Sequence, residues 1–94
     1  MEQTLPDTAG RAQSAQMESL FLSALPDIER VAKYVARRHR LSASEAEDFC
    51  SEVNLAIIEN GYSILSSFQG RSSMRTYLTT VIQRLFLDLS LIHI

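Results

Sequence analysis

The sequence has no tryptophan and only three glycines and two prolines. So small a supply of turn formers argues against a turn-rich β fold and for helices. Cys50 is the only cysteine. It cannot form an internal disulfide, which fits a reducing, cytoplasmic setting. Its simplest reading is a small buried apolar residue. No apolar run approaches the roughly 18 residues of a membrane span, and Met1 to Gly10 lacks the basic and apolar regions of a signal peptide. Catalytic signatures are missing too: no Glu-x-x-His, Cys-x-x-Cys, glycine-rich phosphate loop or Gly-x-Ser-x-Gly elbow occurs. Asp48 and Glu52 stand one turn apart, but His39 and His93 lie in other segments, so no histidine completes a helical metal site. The expectation is no catalytic residue, no metal, no cofactor and no small-molecule substrate.

What is present fits one small domain. A chain of 94 residues with 46% apolar content can build a single modest core. The charge is unevenly spread. Asp27 to Arg40 carries a net +3, Leu41 to Gly70 has no Lys or Arg and carries −5, and the remainder carries +2. An acidic middle between basic flanks suggests different partners on different faces, although solvated helix surfaces give the same pattern.

Helical periodicity begins after a polar leader, expected to be flexible over residues 1–15. Met17, Leu20, Phe21 and Ala24 form one apolar stripe. Pro26 interrupts it, and Pro beside Asp27 suits the start of a second helix. That helix carries Ile28, Val31, Ala32, Val35 and Ala36 on one face. Leu41 to Ser44 reads as a break, with the S-x-x-E spacing of a capping box at Ser42 and Glu45. The next helix is expected to run to about Asn60, with Gly61 as its stop. Phe49, Val53, Ala56 and Ile57 form its buried stripe, and Asp48, Glu52, Leu55 and Glu59 line another face. Tyr62 to Ser73 reads as a loop, and Ser72 or Ser73 can cap the last helix. Met74, Tyr77, Leu78, Val81, Ile82, Leu85 and Leu89 make its stripe. Thr76, Thr79, Thr80 and Gln83 share the opposite face. Threonine is a poor helix former, so this face looks suited to contact rather than solvation. The expected fold is all-α: a compact bundle of three main helices plus a shorter N-terminal one.

Two stretches go further. Ala46-Glu47-Asp48-Phe49-Cys50-Ser51-Glu52-Val53 resembles the Ala-Glu-Asp-Leu-x-Gln-Glu-Val segment of region 2.2 in extracytoplasmic-function (ECF) sigma factors of the sigma-70 family. Phe68-Gln69-Gly70-Arg71-Ser72-Ser73-Met74-Arg75-Thr76-Tyr77-Leu78, continuing through Val81-Ile82 to Asp88, resembles regions 2.3 and 2.4. Asp27 to Arg40 is similar to region 2.1. The family pattern differs at Ser51, where Gln is usual, at Tyr77, where Trp is usual, and at Ile82 and Arg84, which replace Ala and Asn. The basic run that follows the family's Asp is missing. Ser90 to Ile94 stands there instead, and it is expected to be a foreign tail ending a shortened reading frame without region 4. Residues 16–89 would then be the region 2 domain.

The resemblance implies a subunit of RNA polymerase that recognises and melts the minus-ten promoter element. It assigns Asp48, Ser51, Glu52, Asn54, Leu55 and Ile58 to docking on the clamp helices, a coiled coil of the largest polymerase subunit. It assigns capture of the non-template single strand to the loop and to the last helix. A flipped base costs a few kcal/mol, which edge hydrogen bonds and stacking must return. Ser66, Ser67, Gln69, Ser72 and Ser73 offer hydrogen bonds, and Phe68 offers a face or anchors the loop in the core. Arg71 and Arg75 can hold phosphates. Thr76, Thr79, Thr80, Gln83 and Arg84 can face the upstream edge of the bubble, while Tyr77 packs inward. An anti-sigma factor is a further expected partner. The alternative reading is a helical interaction module, an adaptor or a sigma-sequestering protein that binds no DNA.

Overall fold

The computed structural model describes residues 4–93, with side chains described for 15–89. It contains three helices: α1 (Thr4–Arg38), α2 (Ala43–Ser66) and α3 (Met74–His93). Helix α1 is the spine, and both other helices lean on it far more than on each other. Seven of its residues, Phe21, Ala24, Ile28, Val31, Ala32, Val35 and Ala36, are buried along one stripe. They meet Phe49, Val53, Ile57 and Leu65 from α2 and Leu78 and Ile82 from α3. Each fully buried aliphatic contributes about 1.5–3 kcal/mol, so this one cluster supplies most of the cohesion.

The separate shorter helix expected before Pro26 does not exist. Pro26 lies inside α1, which runs through it without a break. The reason is which face the proline occupies. Pro26 and Leu22 are both exposed, opposite the buried stripe. The Leu22 carbonyl that loses its donor therefore faces water, which can satisfy it. The stripe through Phe21, Ala24 and Ile28 continues on the other side.

α1 ends in a Schellman turn. Arg40 adopts φ 59°. The Arg40 N–H donates to the Arg37 carbonyl at 3.1 Å, and the Leu41 N–H donates to the Ala36 carbonyl at 3.1 Å. Leu41 then packs against the core, as the residue after such a cap commonly does.

α2 opens with the capping box anticipated from the sequence. The Glu45 N–H donates to Ser42 Oγ at 3.2 Å, and the Ser42 N–H donates to Glu45 Oε1 at 2.8 Å. Its far end is less regular. Glu59 is extended (φ −59°, ψ 151°), and Asn60, Gly61 and Tyr62 all have φ near +60°. The regular helix thus stops just before the expected boundary, and a short helical turn follows over 63–66. That turn occupies part of the stretch read as a loop, because Leu65, only 2% exposed, needs to reach the core. Tyr62 is held there by Phe21, with ring centroids 5.7 Å apart.

α3 is capped by Ser73, not Ser72: the Thr76 N–H donates to Ser73 Oγ at 3.1 Å. Phe86, which the apolar pattern read from the sequence omits, adds an aromatic layer. It meets Phe49 edge-on at 5.5 Å and stacks on His39 at 3.9 Å. The spacing Leu78, Ile82, Phe86 carries the signal for it. α3 extends to His93, so its backbone includes most of the segment expected to be a tail. The side chains of Ser90 to Ile94 lie outside the described residues. Among the described residues, no helix is long and apolar enough to cross a membrane.

Candidate functional site

Two surfaces collect the residues singled out from the sequence. The first is the outer side of α2. Phe49, Val53 and Ile57 point into the core, so the remaining positions divide around the helix. Asp48, Ser51, Glu52, Leu55 and Ile58 are exposed, with Leu55 at 58% and Ile58 at 41%. The six expected docking residues spread across this outer side and reach the features at both of its edges. Ser51 and Asn54 border an open groove against α1, together with Glu29, Lys33 and Arg37. Glu52 and Leu55 border a smaller cleft against α3. Asn54 is half-buried, and its Oδ1 has no hydrogen-bond partner.

Cys50 sits in the α1-side groove, half-buried against the core. Burial pushes its thiol up from the usual value, against the opposing pull of Lys33, while Glu29 and Glu47 add to the rise. It therefore stays a neutral thiol near pH 7, in keeping with a packing role.

The second surface is the loop 67–73 with the outward face of α3. Ser66, Ser67, Gln69, Arg71, Ser72, Ser73, Arg75, Thr76, Thr80, Gln83 and Arg84 are exposed, and Phe68 and Thr79 are half-buried. Gly70 takes φ 74°, a backbone turn that a side chain would strain. It lets the chain reverse into the Ser73 cap. Phe68 packs on Tyr77 at 5.2 Å between ring centroids, and the Tyr77 hydroxyl donates to the Ile64 carbonyl at 2.7 Å. Phe68 is thus an anchor on its inner face, with only part of its ring left for stacking.

Several polar groups on this surface are already engaged. The Thr79 hydroxyl donates to the Arg75 carbonyl at 2.8 Å, and the Thr80 hydroxyl donates to the Thr76 carbonyl at 3.4 Å. Ser73 Oγ also donates to Thr76 Oγ1 at 3.0 Å, and Ser66 Oγ donates to the Ser63 carbonyl at 3.1 Å. Thr79 and Thr80 thus offer methyl groups and lone pairs outward rather than free donors. Arg75 is tied to Asp27 of α1 at 3.0 Å. Arg71 and Arg84 lie on either side of it in sequence, both exposed. Among the described residues, no group of three or more His, Cys, Asp or Glu is placed to hold a metal.

A basic, hydroxyl-rich surface and an acidic helix thus share one small α-helical spine. The model of sigma-70 region 2 matches residues 21–90. The chain belongs to the sigma-70 family, in its region 2. The match begins at Phe21 and takes in every buried core residue among those described. A sigma-70 region 2 domain is a transcription-factor domain that works with RNA polymerase core and promoter DNA, and is not an enzyme. Comparison with curated proteins and with solved structures gives no match.

Proposed function

We propose that residues 16–89 form the polymerase-binding and promoter-melting domain of an ECF-type sigma factor that acts in the cytoplasm. The outer side of α2, with Asp48, Glu52, Leu55 and Ile58 at its centre and Ser51 and Asn54 on its α1 flank, docks on the clamp helices of the largest polymerase subunit. Acidic groups steer a basic coiled coil, and exposed aliphatics give it apolar area to cover. The loop 67–73 and the outer face of α3 take the non-template strand of the minus-ten element. Arg71, Arg75 and Arg84 hold phosphates, and the serines, Gln69 and Gln83 read base edges. An anti-sigma factor would act by covering one of these two surfaces.

The observation that carries this reading is the segregation of charge. Every Lys and Arg is absent from α2, while exposed arginines gather on the loop and α3. The chain is acidic in sum, so duplex DNA should bind poorly, and strand capture should need the polymerase. Fluorescence anisotropy with polymerase core, using labelled non-template single strand and the matching duplex at several salt concentrations, tests it. Single strand should bind more tightly, and the preference should fade with salt as counterion release is lost. Equal affinity for both forms would count against strand capture.

A further inference from the structure

Because α2 and α3 both lean on α1 and scarcely touch each other, a cleft stays open between them. It is lined by apolar Ala56, Leu85 and Leu89, with exposed Leu55 at its edge, and by the acidic Glu52, Glu59 and Asp88. Among the described residues, no Lys or Arg lines it. Its volume is about 210 Å³, below the usual range for drug-sized ligands. One long side chain fits such a space. A drug-sized ligand or a whole helix does not.

We infer that this cleft is a socket for an arginine side chain presented by the partner helix that docks on α2. The inference rests on reading α2 as the polymerase-docking face, and it adds α3 to that face. The chemistry selects among side chains. An aliphatic side chain would cover the apolar lining but leave three carboxylates at the edge of a low-dielectric surface without compensation. Lysine brings a compact, strongly hydrated charge on a flexible stem. Arginine lays its stem along leucines, and its planar fork of five donors can serve more than one carboxylate at once. The register of the lining supports one continuous slot. Glu52, Leu55, Ala56 and Glu59 recur at i, i+3, i+4 and i+7 on α2, and Leu85, Asp88 and Leu89 recur at i, i+3 and i+4 on α3. Leu55 is 58% exposed at the edge of this slot, apolar area for a neighbouring turn of the same partner helix. Glu59, also in the lining, stands where α2 leaves helical geometry.

Two measurements on the full chain test the socket. In the first, argininamide and lysinamide are titrated separately while amide and methyl resonances are followed by NMR. Argininamide should shift Leu85, Leu89 and Asp88 well before lysinamide does, and equal shifts from both would reduce the site to general charge attraction and overturn the socket. In the second, affinity for polymerase core is compared across charge-reversed variants whose folding is verified by circular dichroism. Glu59→Arg with Asp88→Arg should weaken binding at least tenfold, and Asp88→Asn should weaken it by a smaller factor. If the paired variant fails to fold, Asp88→Asn and Glu59→Gln replace it, with a several-fold loss expected together. Unchanged affinity in the Glu59 and Asp88 variants, with binding lost in Asp48→Arg/Glu52→Lys, would overturn the socket and leave the docking face standing. Full affinity in both sets would overturn the docking face itself.

Discussion

The Tyr77 hydroxyl donates to the Ile64 carbonyl at 2.7 Å, joining the first turns of α3 to the chain that leads into the loop. Ile64 lies in the short helical turn that follows the irregular end of α2, so this one bond ties both ends of the loop 67–73 together. Tyr77 also carries Phe68 on its ring. The loop's shape therefore depends on a side chain that points inward.

Tyr77→Phe keeps the ring and removes only the donor. A half-buried carbonyl left without its partner costs about 1 kcal/mol, and chemical denaturation should read a loss of that size. Single-strand affinity in the presence of polymerase should fall as the loop loosens, while binding of polymerase core alone should not change. Wild-type stability in the variant would mean that water replaces the hydroxyl without penalty.

Arg40 occupies the left-handed region at the end of α1, where a side chain costs about 1–2 kcal/mol relative to glycine. The cap bonds around it come from backbone groups, and its side chain is exposed. Arg40→Gly should therefore raise stability by up to about 1 kcal/mol, part of the gain being returned to the more flexible unfolded chain. Thermal unfolding would show it as a higher midpoint. A lower midpoint would mean that the guanidinium makes a stabilising contact that outweighs its backbone strain.

The capping box gives a pH dependence with a definite sign. Hydrogen bonding with the Ser42 backbone, and then with its side chain, holds the Glu45 carboxyl below its ordinary value of 4.5. A folded-state value below the unfolded one stabilises the protein above the unfolded value, and the gain is lost as pH falls through the folded value. The stability gap between wild type and Glu45→Ala should be widest near neutrality and should narrow in acid. Urea titrations at a series of pH values would test this, and a gap independent of pH would show that the carboxylate contributes nothing as an anion.

How much of this was legible in the sequence depended on range and on face. The Ser42–Glu45 box could be read because all its parts lie within one turn. Pro26 was read as a helix start because its effect depends on whether the carbonyl it orphans meets water or core, and that requires knowing which side of α1 is buried. The helix stop signalled by Gly61 was placed well, but the turn after it was not. Leu65 is drawn inward by a core that no local pattern describes. The six expected docking residues come from one short stretch, and the groove that Ser51 and Asn54 border on the α1 side and the cleft that Glu52 and Leu55 border on the α3 side needed the packing of α2 to appear. Phe86 was visible in principle at four-residue spacing from Ile82. The partner of Arg75 was not, since Asp27 lies 48 residues away.

That distant pair leads to a prediction about the nucleic-acid surface. Arg75 stands in the first turn of α3, where the helix dipole disfavours a cation, and Asp27 offsets this at 3.0 Å. The two side chains are 55% and 35% exposed, and such pairs contribute only about 0–1 kcal/mol to stability. Asp27→Asn should therefore leave the unfolding midpoint nearly unchanged while freeing the guanidinium for a phosphate. Single-strand affinity with polymerase core should rise a few-fold at low salt. Arg75→Ala should lower that affinity for every sequence tested and reduce the slope of log affinity against log salt by about 0.7, one single-strand phosphate contact. The decisive comparison is the double variant. If Asp27 acts only by holding Arg75, then Asp27→Asn should have no effect once Arg75 is alanine. A few-fold gain that persists in the Arg75→Ala background would show that Asp27 repels the strand directly, and that the ion pair has no part in placing it.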